Sequence, residues 1–348
     1  MTAHGSGGLL AVVSYWEPWW IQIIKSLLVF GVGLSMVPVI LILERKGLGR
    51  FQNRYGPNRV GVFGIMQPLA DILKLLRKEQ FRPATSVGLL FALAPVISIL
   101  TAVATFAIIP FGDVHNLFGT NVGLYGIDVS IGPLYAFAFG AIAFYGIMLG
   151  GWASGSKYSF LGAMRGAAQL ISYEVALGLS LIGVVFQAGT LSLTGIVHAQ
   201  QHYGLWFFLP QIVGFLIFMV SGFAETNRAP FDLVEADAEL VGGYNTEYGG
   251  GRFASYYFAE YLNVFVISGL ATTMFLGGWL LPFGIHPPAF IDPIVVLVKM
   301  FVFVIVFIWV RATLPRLRYD QLMRFGWKVL LPLATVNALV TAILVVET

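Results

Sequence analysis

The sequence predicts an all-α, polytopic membrane protein, and three observations carry that reading. Of its 348 residues, 58% are hydrophobic and only 11% are charged, less than half the charged fraction of about a quarter found in soluble domains. Apolar runs of about 20 residues recur, each long enough to cross about 30 Å of hydrocarbon, and the mean hydropathy is +0.83. These runs are continuously apolar and do not alternate, which makes them helices and not barrel strands. Finally, 18 of the 20 Lys and Arg residues sit in alternate connections between the runs.

Eight spans are expected, at 19–43, 87–111, 131–152, 169–187, 205–224, 256–281, 291–313 and 326–346, within a single integral membrane domain covering 1–348. Trp16, Trp19, Trp20, Trp152, Trp206, Trp279 and Trp327 lie near span ends, as interfacial aromatics do. The connections 44–86, 153–168, 225–255 and 311–328 hold the basic residues, whereas 112–130, 188–204 and 282–290 contain no Lys or Arg. By the positive-inside rule the basic connections face the cytoplasm and both termini face out. The N-terminus has no basic n-region and no obvious cleavage site, so the first span is read as permanent. The outer connections read as plain links rich in Gly and Pro, which places function on the long inner ones.

The first inner connection is arginine-rich. Gly47, Gly49, Gly56, Gly61 and Pro57 give it a turn-rich path. From Ile65 to Lys78 apolar residues recur at helical spacing, with Asp71, Lys74, Arg77 and Lys78 between them. That predicts a short amphipathic helix lying on the inner surface or against a partner. The basic clusters suit anionic membrane lipid or a docked protein and not nucleic acid.

Cysteine is absent, which excludes disulfides, thiolate-ligated iron–sulfur clusters and thiol nucleophiles. The five histidines, His4, His115, His198, His202 and His286, all lie outside the deep apolar runs, so a haem held between transmembrane histidines is not expected. His198 and His202 have i, i+4 spacing but no further ligand nearby, so no metal site is expected. Lys25 and Lys299 are basic residues within spans, able to pair or to snorkel.

The acidic residues are the informative ones. Glu174 and Glu260 fall inside spans four and six, where a carboxylate costs a few kcal/mol or more unless it is paired, neutralised or hydrated. Both would lie near helix N-termini, where the dipole softens the cost. Glu44 and Glu225 close spans one and five, with Arg45 and Lys46, and Arg228, as neighbouring partners. The segment 224–240, AETNRAPFDLVEADAEL, follows a strongly apolar run. Pro230 is placed to open a short helix, and continuing that helix stacks Asp232, Glu235 and Glu239 on one face. Such a segment is either a solvated acidic loop or a carboxylate chain leading into a polar cavity, and the second matches the acids in spans four and six.

Five stretches, ERKGLGRFQNRYGPNRVG, QPLADILKLLRKE, KYSFLGAMRGAAQLISYEVALGLS, ETNRAPFDLVEADAELVGGYNTEYGG and RATLPRLRYDQLMRFGWK, resemble in order the H subunit of proton-pumping NADH–quinone oxidoreductase. The resemblance runs through nearly all of the chain. It implies eight transmembrane helices, no bound cofactor, and a place at the heel of the membrane arm. NADH, FMN and iron–sulfur clusters would lie on partner subunits of the peripheral arm, and quinone would be the substrate. It further implies that Arg45, Arg50, Arg54, Arg59, Asp71 and Arg228 serve the quinone chamber and the peripheral-arm interface. Glu44, Glu174, Glu225, Asp232, Glu235, Glu239 and Glu260 would form the proton-coupling carboxylates. A related energy-converting hydrogenase subunit shares this architecture, and a stand-alone secondary transporter is a third reading. The expected location is a bacterial plasma membrane, with an organellar inner membrane as the alternative.

Overall fold

The helices follow from the apolar runs, and several extend past them into the polar connections. A computed structural model describes residues 18–117, 120–235, 237–288 and 290–347; Trp16 and His4 lie outside the described residues. In chain order the helices are α1 (Trp19–Phe51), α2 (Gln67–Arg77), α3 (Gly88–Phe106), α4 (Gly132–Ala153), α5 (Lys157–Ala188), α6 (Leu193–Tyr203), α7 (Ile212–Glu225), α8 (Asp237–Leu240), α9 (Gly250–Phe275), α10 (Asp292–Thr313), α11 (Tyr319–Phe325) and α12 (Leu331–Glu347). A π-helical segment, Gly326–Leu330, joins the last two. Strands β1 (Pro110–Leu117) and β2 (Thr120–Tyr125) pair antiparallel, with His115 opposite Val122.

Among the described residues seven helices are long and apolar enough to span a membrane, counting α11 to α12 as one. The eighth, α7, has 14 residues; at 1.5 Å per residue it is about 21 Å long, shorter than a full hydrocarbon crossing. The span expected at 205–224 is therefore helical only from Ile212, because the preceding residues form turns on the end of α9, where the Phe208 amide donates to the Phe275 carbonyl.

Helix α9 is the centre of the bundle: 83% of its apolar stretch is buried, against 17% for the last span. It packs on α3 and α10, while α5 packs on α4, α7 and α12. A polar seam fixes the peripheral last span, with Gln211 donating to Thr341 at 2.9 Å and Asn337 donating back to Gln211 at 3.1 Å. Faces of α1, α10 and α12 that turn outward carry exposed Leu, Ile and Val, such as Leu27, Ile305 and Leu339, as lipid or partner helices require.

Four expectations are corrected. First, α1 runs through Gly47 and Gly49 to Phe51 without opening into a turn-rich path at Gly47, since only from Gln52 does the backbone leave the helix. Second, α5 begins at Lys157 and α9 at Gly250, so Glu174 and Glu260 lie well inside their helices and gain nothing from a helix N-terminus. Third, the outer connections are not plain links: one holds the hairpin β1–β2 and the next holds α6. Fourth, Trp279 is fully buried and is not an interfacial anchor.

The connections sort into two ends. At the basic end Arg45 pairs with Asp71, Arg311 with Glu44, Arg165 with Glu239 and Arg316 with Asp232. At the opposite end His198 and His286 both face Asp113, at 3.2 Å and 3.4 Å, and His115 faces Asp292 at 2.9 Å. His198 is thus held by a carboxylate, and no group of three metal-ligating side chains occurs among the described residues. Burial would raise the Asp113 pKa, but the hydrogen bonds from His198 and the Val114 amide and the two imidazoles hold it down at about 2.

Candidate functional site: a carboxylate network

The acidic segment 226–249 folds back onto α5 and α9. Two close approaches make this possible. A Cβ at Gly162 of α5 would lie 2.8 Å from the Gly243 Cα, and one at Gly243, whose φ is +57°, would lie 1.7 Å from the Val234 carbonyl oxygen. Glycine at both positions lets the loop sit directly on the helix.

Within this segment the expected helix from Pro230 does not form. Residues 226–235 are turns and bends, and the Ala229–Pro230 peptide is cis. Asp232, Glu235 and Glu239 consequently share no face. Asp232 accepts from Arg316 at 3.0 Å, Glu235 accepts from Asn245 at 2.8 Å, and Glu239 pairs with Arg165. Tertiary partners on three different elements outweigh the local helical pattern.

Nor do the sequence neighbours pair. Glu44 is bound by Arg311 of α10 and lies 3.8 Å from Arg228, while Arg45 turns away to Asp71. Arg228 does not meet Glu225. Its Nε donates to Glu260 at 2.9 Å, and its guanidinium lies over the Tyr261 ring at 4.0 Å. Glu44 and Arg228 are both buried. Taking such ions from water costs several kcal/mol each, so this constellation persists because opposite charges face both arginines and an aromatic ring also covers Arg228. The Nη2 of Arg228, Oδ1 of Asp232 and Oδ1 of Asn245 remain buried without a partner among the described residues.

These groups line three cavities. The first, between α1, α9 and α10, is lined by Glu44, Arg228, Tyr261 and Arg311. Beside it, sharing Ile308, is an apolar groove of about 480 Å³ between α1 and α10, lined by Leu43, Phe51, Ile305 and Trp309 among others. Across the Arg228–Glu260 bond a second cavity is lined by Glu225, Glu235, Glu260 and Asn263. A third, deeper in the spans, is lined by Glu174, Glu225, Asn263, Thr101 and Thr105. The second and third share Ala143, Glu225 and Asn263. Glu260, Glu235, Glu225 and Glu174 thus stand in succession along one polar path.

Of the sequence-predicted site residues, the structure gathers Glu174, Glu225, Glu235 and Glu260 onto this path and sets Glu44 and Arg228 beside it, with Arg228 bonded to Glu260. Asp232 and Glu239 lie at its rim. Arg45 and Asp71 pair on the basic end, Arg50 lies beside the Tyr55 ring at 5.9 Å, Arg54 donates to Gln52 at 2.7 Å, and Arg59 is exposed. Sequence reasoning missed Arg311, Tyr261 and Asn263. Arg311 was hidden in a basic cluster suited to anionic lipid or a docked protein, whereas Asn263 carried a usable signal: an amide one turn from a carboxylate inside an apolar span.

Together, a polytopic helical bundle with no thiol and a file of half-buried carboxylates define a membrane protein with acid groups among its spans. Residues 24–342 match the family model described as NADH dehydrogenase. The chain is 52% identical to the first of the NADH-quinone oxidoreductase H subunits of Geobacter metallireducens, over 92% of this chain and 95% of that one. It is 51% identical to the second such H subunit of Geobacter sulfurreducens, over 91% and 94%, and 49% identical to the H subunit of Protochlamydia amoebophila, over 86% and 90%. The chain belongs to the H-subunit family of NADH-quinone oxidoreductase. It is therefore one component of a multi-subunit enzyme, and these three relatives are bacterial.

Proposed function

We propose that the chain forms part of the quinone-binding chamber of this oxidoreductase and couples quinone reduction to proton translocation through its carboxylate file. The observation that carries the reading is the pair of polar cavities meeting at Glu225. A carboxylate file inside apolar spans is costly unless protons, water or charge move along it. The apolar groove between α1 and α10 suits a hydrophobic quinone tail, and the Glu44–Arg311–Arg228–Glu260 constellation lies next to it. Arg45, Arg50, Arg54, Arg59 and Asp71 occupy the basic end, where partner subunits bearing flavin and iron–sulfur clusters would dock. Reducing a quinone takes up two electrons and two protons. The electrons would come from those partners, and this chain's residues would bind the quinone, exclude water from its tail and respond to the charge change. Arg228, bonded to Glu260 and close to Glu44, is placed to transmit a change at the groove to the carboxylate file. We place the chain in a bacterial plasma membrane with the basic end cytoplasmic, bound to lipid and to the other subunits of the complex.

Glu225→Gln in the assembled complex tests this. Proton translocation coupled to quinone reduction should fall at least about tenfold, below the usual range for loss of a proton-transfer group and so a conservative threshold. NADH oxidation by ferricyanide, which needs only the flavin-bearing partners, should be unchanged. Full coupled translocation in the variant would sink the proposal.

A further inference from the structure

Glu225 and Asn263 are the two polar residues that both inner cavities share. The neutral groups around them are already engaged. Ser98 donates to the Ala94 carbonyl, Thr101 to Ile97, Thr105 to Thr101, Thr226 to Gly222 and Tyr256 to Gly146. Hydroxyls that donate to backbone carbonyls keep only lone pairs for the cavity. The Asn263 amide, three residues past Glu260 on α9, makes no hydrogen bond to the described residues. It therefore has both a donor and an acceptor to offer at the neck between the cavities. The space open to water centres is about 40 Å³ in one cavity and about 50 Å³ in the other, and about 10–15 Å³ admits one water. Each cavity is walled mainly by apolar surface but presents carboxylates and the Asn263 amide, and each has room for a few waters.

We propose that Asn263 is a positioning residue that holds water at the neck between the Glu260–Glu235 cavity and the Glu174 cavity, so that protons pass Glu225 through an ordered hydrogen-bonded file. An amide suits this task because it orients water on both sides and does not itself take up or release the proton. A leucine of similar size would close the neck to water. The inference rests on the proposed carboxylate path and names the group that makes it continuous.

The test uses membrane vesicles containing the whole complex, with variants Asn263→Leu, Asn263→Val, Asn263→Gln and Glu225→Gln. Native-gel assembly and ferricyanide-linked NADH oxidation serve as controls. Asn263→Leu should lower coupled proton translocation about tenfold, roughly the value of one lost bridging interaction. It should also raise the H2O/D2O rate ratio of quinone reduction, a readout that a packing defect would not move. Asn263→Gln should restore most of the translocation. Should Asn263→Leu fail to assemble, Asn263→Val is read in the same way. Unchanged translocation and isotope ratio in the assembled apolar variant, with Glu225→Gln impaired, would overturn the role of Asn263 and leave the path intact. If Glu225→Gln is also unimpaired, the path itself fails.

Discussion

Among single residues, Arg228 bears the most. It is buried, bonds Glu260 through Nε, stacks on Tyr261 and approaches Glu44. Arg228→Ala would leave Glu260 without its cation and weaken the hold on Glu44, at a cost of about 3–5 kcal/mol for a broken buried pair. The expected result is a sharp fall in assembled complex, measured by native gel and immunoblot. Arg228→Lys keeps the charge but loses the planar fork and the stacking. It should assemble and lose about tenfold in coupled quinone reduction. Arg228, in an inner connection, was marked as a neighbour of Glu225 and by the family resemblance, and the positions of Glu174 and Glu260 were legible because charge inside apolar spans is expensive. Their partners were not. Glu44 lies beside Arg45 and Lys46 yet binds Arg311, 267 residues away, since a helix points successive side chains about 100° apart and tertiary neighbours decide the pairing.

At the scale of elements, Lys299 shows how the fold ends its central helix. Its ammonium donates to the carbonyls of Leu276, Gly278 and Leu280 at 2.5–2.8 Å and sits 4.6 Å from the Trp206 ring. The last turn of α9 leaves carbonyls without intrahelical partners, and a cation from α10 satisfies those just beyond it. Lys299→Met should free that turn. A loss of about 3 kcal/mol, the order of a charged hydrogen-bond set, corresponds to about hundredfold faster amide exchange around 276–280. Hydrogen-exchange mass spectrometry would measure this, and unchanged exchange would show that the cap contributes nothing. Helix α2 was readable from its periodicity, and the observed Gln67–Arg77 falls within the expected 65–78. The acidic segment misled, because Pro230 and the spacing of its acids are local signals overridden by the packing of Gly243 on Gly162.

For the whole molecule, alternating charge predicted which connections share an end, and the ion pairs sort them the same way. Sidedness can be tested directly because the chain contains no cysteine. Cysteine placed at Asn58 or at Tyr203, both exposed, should react oppositely with an impermeant maleimide in right-side-out vesicles: position 203 labels and position 58 does not. Labelling of both, or the reverse, would overturn the orientation. The opposite end has its own linkage. The carboxyl of Asp113 is held at about 2 against an ordinary 3.8, so its contribution to folding is complete above 3.8 and lost as pH falls toward 2. The deficit in Tm of Asp113→Asn relative to the parent complex should persist from mildly acidic solution down to about 3.8 and close below it. The hairpin at that end was missed because β1 and β2 are short, and α6, as long as α2, was missed because it separates its apolar and polar faces far less sharply.

One consequence concerns stiffness. Helix α1 has 33 residues, with Pro38 inside it, a length of about 50 Å at 1.5 Å per residue. Proline deletes one rung of the hydrogen-bond ladder and crowds the preceding turn, which makes that point the compliant joint of an otherwise rigid rod. The stiff piece beyond it carries Glu44, Arg45 and Arg50 together. A force applied at Arg50 would therefore act as a lever on Glu44, less than two turns away, with no intervening side chain needed to relay it.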